Sequence, residues 1–396
     1  MQILFLTPRF ILQPVIGGDR LKSFHILSHL AKNHKVTLVS FYQGKENTES
    51  SVKVLTDLGI DVHIVPLNPI KAGLNSLLKF YRCLPFEIFF YTQPHFAKTV
   101  DKLCNEKQFD LGISFFMRTA EYLKDKKFKK ILMAEDCRTL YMKRSSNKTG
   151  NIPQKIIRSI EHRLLQTYEP KIVSHFDVTT LVTETDINQM RQQNSSARYE
   201  LISNGTDISL FSPPQPQIKR KGIVFIGKLN LLANEMMVEK IINEIFPLIK
   251  KRIPDVELNI VGAEPSSLIK NLVKKYDGIK FHFDVPSTVP FYQNALIFLH
   301  PHSGASGIQN KILEAMSSGC VVVTTKSGNQ GINGEHLKNI LIGTDSNELA
   351  ELACNVLSDE NLAINLSENS RNFIEAKHSW ESVYRATDKL LIDLFK

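Results

Sequence analysis

The sequence predicts two doubly wound α/β domains, each built on a parallel sheet. Three observations carry this. Short apolar runs alternate with helical stretches along almost the whole chain. A segment rich in proline and basic residues, Asn204 to Gly222 (NGTDISLFSPPQPQIKRKG), divides the alternation in two. The length, 396 residues, suits two domains better than one.

The first half opens with apolar runs at Ile3–Thr7 and Val36–Phe41. Between them Leu21, Phe24, Leu27 and Leu30 recur at helical spacing, so Leu21 to Lys32 is predicted as the crossover helix of a βαβ unit. The loop before it holds Gly17 and Gly18, a pair that lets backbone approach a ligand or take an unusual turn. No G-x-G-x-x-G is present, so the usual dinucleotide fingerprint is absent. Further strands are predicted at Asp61–Pro66, Phe109–Phe115, Lys130–Ala134, Phe176–Thr183 and Tyr199–Ile202. Asn151 to Ser174 is predicted as one long helix that Pro170 kinks or ends.

The aromatic, basic stretch Lys71–Phe96 has two readings. One is a lip that touches a membrane or an apolar acceptor. The other, which general aromatic burial favours, is a core helix followed by a packed loop.

After the proline segment the series restarts. Strands are predicted at Ile223–Ile226, Val256–Val261, Ile279–Phe283, Leu296–His300 and Ile340–Ile342, with helices at Met236–Lys251, Ser266–Lys275, Val289–Asn294 and Asn347–Leu357. Trp380–Lys396 is an amphipathic helix that either packs back across the first domain or finishes the second.

Composition narrows the function. The 42% hydrophobic and 22% charged residues fit a soluble globular protein. The net charge of +9 favours an anionic partner. Nucleic acid is not expected, because no zinc-finger spacing, RNP-like motif or long basic arm occurs. The one basic cluster, Lys124–Lys130, is predicted as a solvated loop. Cys83, Cys104, Cys137, Cys320 and Cys354 show no paired spacing, which points to a reducing compartment. MQILFLTPRF is predicted as a first strand, not a signal peptide, and no stretch approaches the roughly 20 apolar residues of a membrane span.

The stretch richest in chemistry is Gly304–Ser327. A Gly/Ser turn, with Gly307, Ile308, Gln309 and Asn310, feeds a short helix. A loop leading into a helix N-terminus is an anion site, because its first N–H groups lack intrahelical partners. Lys311 and Glu314, three residues apart, share a face of that helix. They read either as a surface ion pair or as a cation and an acid that hold a sugar diphosphate nucleotide.

Several spaced elements together resemble the group 1 glycosyltransferases (family 4) of the GT-B fold, above all the bacterial sugar transferases of exopolysaccharide and lipopolysaccharide pathways. They are the early Gly-Gly loop, Asn204-Gly205-Thr206-Asp207, Phe225-Ile226-Gly227-Lys228, Val261-Gly262 and Lys311-Ile-Leu-Glu314-Ala-Met-Ser-Ser-Gly319. The resemblance spans nearly the whole chain and is strongest from Asn204 to Ser327. It implies a Rossmann-like acceptor-side domain over 1–205, a Rossmann-like nucleotide-sugar domain over 206–375, and a helix over 376–396 returning to the first domain.

It also implies a retaining hexosyl transfer from a nucleotide-diphosphate sugar, with no required metal and no other cofactor. Glu314 aligns with the acid that binds the ribose hydroxyls. Lys228 aligns with the basic residue that neutralises the diphosphate, and Gly17 and Gly18 match the loop that approaches it. Donor contacts are expected from these residues, Gly227, and the run Gly307, Ile308, Gln309, Asn310 and Lys311. Lys228, Glu314 and Asp136 are the expected catalytic residues; Asp136, which follows Glu135 at a strand end, either orients or deprotonates the acceptor or caps a helix or turn.

Two departures stand out. The family's E-x7-E would put its first acid at Ser306, and Asn234 lies where many members have a second lysine. Lys311 is the candidate replacement cation. His300 and His302, and His25 and His29, have metal-like spacing but no third ligand nearby. The expected enzyme is cytoplasmic, works at the inner face of the cell membrane, and acts on a glycan or lipid-linked acceptor in bacterial surface polysaccharide assembly. The rival expectations are a sugar-nucleotide 2-epimerase of the same fold and a nucleotide-sugar-binding subunit without chemistry.

Overall fold

The computed structural model describes all residues except 14–17, 45–46, 79–83, 147–151, 217, 276–278 and 305–306. The chain forms two compact units, Met1–Ser203 together with Tyr384–Lys396, and Asn204–Val383.

The first unit runs β1 (Gln2–Thr7), α1 (Gly18–Ala31), β2 (Lys35–Tyr42), α2 (Glu49–Asp57), β3 (Asp61–Pro66), α3 (Pro69–Leu78), α4 (Phe86–Tyr91), α5 (Pro94–Glu106) and β4 (Leu111–Phe115). A 3-10 turn (Met117–Tyr122) leads to β5 (Lys129–Glu135), α6 (Arg138–Ser146), α7 (Ile152–Val173), β6 (Val178–Leu181), α8 (Glu184–Gln193) and β7 (Tyr199–Leu201). The strands form one parallel sheet in the order β3-β2-β1-β4-β5-β6-β7. Ile3 to Leu6 of β1 are fully buried, as a central strand covered on both faces requires.

The second unit runs β8 (Ile223–Ile226), α9 (Leu232–Lys240), a π-helical turn (Ile241–Ile245), α10 (Phe246–Arg252), β9 (Leu258–Gly262), α11 (Ser267–Lys275), β10 (Ile279–Phe283), α12 (Val289–Asn294) and β11 (Ile297–His300). It continues with α13 (Asn310–Ser317), β12 (Val321–Thr325), β13 (Leu341–Gly343), α14 (Ser346–Ser358), α15 (Glu360–Lys377) and the start of α16 (Trp380–Leu394). The sheet order is β10-β9-β8-β11-β12-β13, again parallel. Alternate residues feed opposite faces. Ile223, Phe225, Ile297, Leu299, Val321 and Val323 pack with α9, α10 and α14. Val224, Ile226, Phe298 and Val322 pack with Ile312, Leu313, Ala315 and Met316 of α13.

The predicted strands are present, with shifts of a residue or two at several ends. β4 starts at Leu111 instead of Phe109, and β9 covers Leu258–Gly262 instead of Val256–Val261. Three differences have physical reasons. The helix expected at Met236–Lys251 runs from Leu232 to Arg252 and widens into the π turn just before Pro247. A proline ring would press on the carbonyl four residues back, and the wider turn relieves this. Pro170 neither ends nor splits α7, and its carbonyl accepts from Asn194 Nδ2 at 2.7 Å. In Lys71–Phe96, Phe80 and Tyr81 lie outside the described residues; Phe89, Tyr91 and Phe96 are buried with Ile88, while Phe86 and Phe90 are partly so, and Phe96 stacks on Phe41 at 4.1 Å.

The basic cluster is a surface loop whose Lys124, Lys126 and Lys129 pair with Glu121, Asp101 and Asp177. No helix among the described residues is long and apolar enough to cross a membrane.

Candidate active site

In a doubly wound sheet, ligands bind beyond the carboxyl ends of the strands where the strand order reverses. In the second unit that point lies between β8 and β11. The residues that follow are Gly227 and Lys228 on one side and the loop from Pro301 on the other.

The β8 side is built by close packing. A Cβ on Gly262 would lie 1.7 Å from the Gly227 carbonyl, so only glycine allows the β9 end to cross this loop. Asn234 Nδ2 donates to the Lys228 carbonyl at 2.8 Å. The position where the resemblance implies a second lysine therefore braces the loop. Lys228 itself is half exposed, with its Nζ 2.9 Å from Glu264 Oε1. A surface pair of this kind is worth little and exchanges readily for an anion.

The β11 side is built by burial. Gly307 has φ +82°, a turn that suits glycine, and Ile308 packs against the α13 face of the sheet. Gln309 stands at the N-cap of α13 without a side-chain cap bond, so its own side chain does not close that first turn. Asn310 Oδ1 accepts from Asn204 Nδ2 at 2.8 Å.

Lys311 is half-buried, and no acceptor among the described residues lies within hydrogen-bonding reach of its Nζ. Burial lowers its pKa, and nearby Glu314 works against that. Glu314 is half-buried as well. Its carboxyl is pushed up by burial and opposed by the charge of Lys311 and by the Tyr292 hydroxyl, which donates to Oε2 at 3.0 Å. The two are therefore not a surface ion pair. His300, at the end of β11, is held neutral by burial, His302 and Lys311.

An ammonium without an acceptor, an uncapped helix end and a fixed carboxylate meet at one strand edge. The first two suit a phosphate, and the third suits a pair of hydroxyls. Ser306 and Gly17 lie outside the described residues.

Asn204-Gly205-Thr206-Asp207 is scaffold beside this site. A Cβ on Gly205 would press into the Trp380 ring at 2.6 Å, and the Thr206 N–H donates to the His378 carbonyl at 2.8 Å.

In the first unit, Gly18 opens α1. Asp136 is not a lone carboxylate. Arg138 Nη1 lies 3.3 Å from its Oδ2, while the Arg138 Nε and Nη2 groups bond Glu87 at 2.9 and 3.2 Å. Arg118 reaches the same Glu87 at 3.3 Å. The other Asp136 oxygen, Oδ1, is buried without a hydrogen-bond partner. Glu135, with φ +72°, faces buried Lys22, whose Nζ lies 2.9 Å from Oε1 and donates to the Ile202 carbonyl. Phe116 has φ 63° just past β4. Backbone strain thus gathers at the ends of two adjacent strands, a pattern common at ligand sites.

Glu169 staples the start of α6 by accepting from the Arg138 and Thr139 N–H groups at 2.7 and 3.1 Å. Burial lifts its carboxyl to about 7 and that of Asp186 to about 6.

The two histidine pairs are placed differently from each other. His25 and His29 bond Tyr384 and Asp388, each at 2.8 Å, and so join α1 to α16. His300 and His302 sit in the second unit's strand end. No cluster of three His, Cys, Asp or Glu spaced to hold a metal ion occurs among the described residues.

Residues 220–359 match the family described as glycosyl transferases group 1. They are a group 1 glycosyltransferase domain. An uncharacterized 44.6 kDa protein of the cps region of Klebsiella pneumoniae is 23% identical to the transferase over 392 residues, covering 95% of this chain and 96% of that protein. Two solved structures share its fold across both units. Sucrose-phosphate synthase from Thermosynechococcus elongatus aligns with a TM-score of 0.72 at 16% identity, covering 100% of this chain and 99% of that one. Anabaena HepE in complex with UDP-glucose aligns with a TM-score of 0.65 at 15% identity, covering 99% and 100%. The fold of the transferase is GT-B.

Lys22, Glu87, Glu169 and Tyr292 escape the sequence reading. Lys22 left a trace: it stands on the buried stripe of α1, four residues before Ile26 and eight before Leu30. Tyr292 left none, because its partner lies 22 residues further on.

Proposed function

We propose that the protein is a retaining glycosyltransferase that moves a sugar from a nucleotide-diphosphate sugar to a glycan or lipid-linked acceptor in bacterial surface polysaccharide assembly. The observation that carries this reading is Lys311, a half-buried ammonium with no acceptor among the described residues, one turn from a carboxylate that Tyr292 fixes. A diphosphate would supply the missing acceptor, and Glu314 would receive the ribose hydroxyls.

Loss of the nucleoside diphosphate builds negative charge. Lys311, Lys228 and the open N–H groups of α13 would stabilise it without reorganising, so the reading invokes no resident metal. Asp136 Oδ1, unpartnered in the first unit, is a candidate contact for an acceptor hydroxyl. HepE, solved with UDP-glucose, supports a sugar nucleotide as the donor, and the cps-region relative supports polysaccharide assembly. The cationic balance and the family suit work on the cytoplasmic side of the cell membrane.

The test is a thermal-shift panel of nucleotide sugars followed by product analysis with and without glycan acceptors. The true donor stabilises by about 2.7 kcal/mol at a hundred times its Kd. If no sugar nucleotide shifts the melting temperature, the reading fails. An isomerised donor formed without acceptor would make the protein an epimerase instead. Binding without either reaction would leave a non-catalytic subunit, the outcome that Ser306 in place of an acid would explain.

A further inference from the structure

Helix α7 turns one row of side chains inward and a very different row outward. Glu161, Leu165, Tyr168 and Ile172 are buried. On the other side Ile152, Ile156 and Ile160 recur every four residues at 71%, 55% and 45% exposure, with Ile157 beside them at 56%. Isolated surface isoleucines need no explanation, but a row of them along one helix stripe does.

The charges follow the same division. Both acids of α7 are buried and engaged: Glu161 accepts from the Phe86 and Glu87 N–H groups, and Glu169 from those of Arg138 and Thr139. The remaining charged residues of the helix are basic, among them Lys155, Arg158 and Arg163. The last turn of α6, which packs on α7, adds Lys143 and Arg144. The stripe is therefore apolar along its centre and cationic around it.

We propose that this face of α7 docks on an anionic lipid bilayer, lying in the interface with the isoleucines among the headgroups and upper acyl chains. An apolar row flanked by lysine and arginine is the pattern of an interfacial helix, and anionic headgroups complement the basic rim. The same rim disfavours a second copy of the chain, because a two-fold contact would set Lys155, Arg158 and Arg163 against their own copies. α3 adds a smaller apolar pair, Ile70 at 75% and Leu74 at 54% exposure, with Lys71 between them. α3 packs on α4, and Glu161 of α7 holds the first N–H groups of α4, so the two exposed sets are tied together. The membrane face is thus α7 and not the aromatics of Phe86–Phe96, which are largely core.

The inference does not depend on the donor or the acceptor. It is tested by co-sedimentation of the full chain with phosphatidylcholine vesicles, with and without phosphatidylglycerol. The wild type should partition onto the phosphatidylglycerol vesicles and stay in solution with phosphatidylcholine alone. The double variant I156D/I160D should lose roughly tenfold or more in partition coefficient, and K155E/R163E should also weaken binding. Because these side chains are exposed, circular dichroism, melting temperature and donor-induced thermal shift should be unchanged in I156D/I160D. That keeps a failure here separate from a failure of the proposed reaction. No binding of the wild type to anionic vesicles, or full binding by I156D/I160D, overturns the proposal. So does a wild-type dimer in light scattering that I156D/I160D converts to monomer, which would make the stripe a contact between copies.

Discussion

In the first unit Lys22 faces Glu135 and Arg138 forks onto Glu87, so these buried charges have met their opposites. In the second unit half-buried Lys311 has no acceptor in reach among the described residues, although the Glu314 carboxyl lies one turn away and is bonded to Tyr292 instead. Both arrangements stand at the carboxyl edge of a parallel sheet, and both carry the desolvation cost of an ion. Only the first recovers that cost within the protein. A satisfied pair holds elements in place, whereas a half-buried cation without a protein acceptor stays open to an anion.

The same substitution made in both units should break the symmetry. Lys22→Met strands Glu135, which burial already pushes toward its protonated form. The expected loss is about 3–5 kcal/mol of stability in chemical denaturation, as when one member of a buried pair is removed. A loss below about 1 kcal/mol would mean that the pair does not brace the fold.

The pH dependence of Glu169 sharpens the first-unit side. Its folded pKa of about 7 lies above the ordinary 4.5, so the native state binds the extra proton. The contribution is full below about pH 4.5 and is lost as pH rises through about 7, an amount of about 3 kcal/mol. Glu169→Gln has no proton to lose. The wild-type stability relative to this variant should therefore fall between those pH values, and a flat difference would refute the raised pKa.

Lys311→Met should have the smallest effect on the empty protein, within about 1 kcal/mol, because a half-exposed ammonium without a partner keeps much of its hydration and contributes little that an isosteric apolar chain does not. Its effect should appear only with donor, as a lost thermal shift and a drop in kcat/KM of roughly a hundredfold. Unchanged donor kinetics would return Lys311 to the scaffold.

The sheets were legible because their strands are buried on both faces and read as apolar runs, such as Ile3–Thr7 and Ile223–Ile226. The turn glycines near the site were legible for a related reason, since Gly262 and Gly307 sit where a side chain would clash or strain the backbone. Partnerships across long sequence distances were not. Nothing near Lys228 announces Glu264, and nothing near Asp136 announces Glu87. Arg138, two residues from Asp136, was visible, but its fork onto a carboxylate 51 residues away was not. Helix spacing put Lys311 and Glu314 on one face, yet burial, which changes the meaning of the pair, depends on the layers around α13.

Helix α16 carries one more consequence. Its residues from Tyr384 onward belong to the first unit, where Tyr384 and Asp388 bond His25 and His29. The first unit is therefore discontinuous along the chain. On a ribosome adding about 5–20 residues per second, its sheet emerges first and then waits ten seconds or more for the second unit to be made. Through that interval the α1 surface that receives Tyr384 and Asp388 stays uncovered, so the nascent chain has a built-in window in which a chaperone could hold that face.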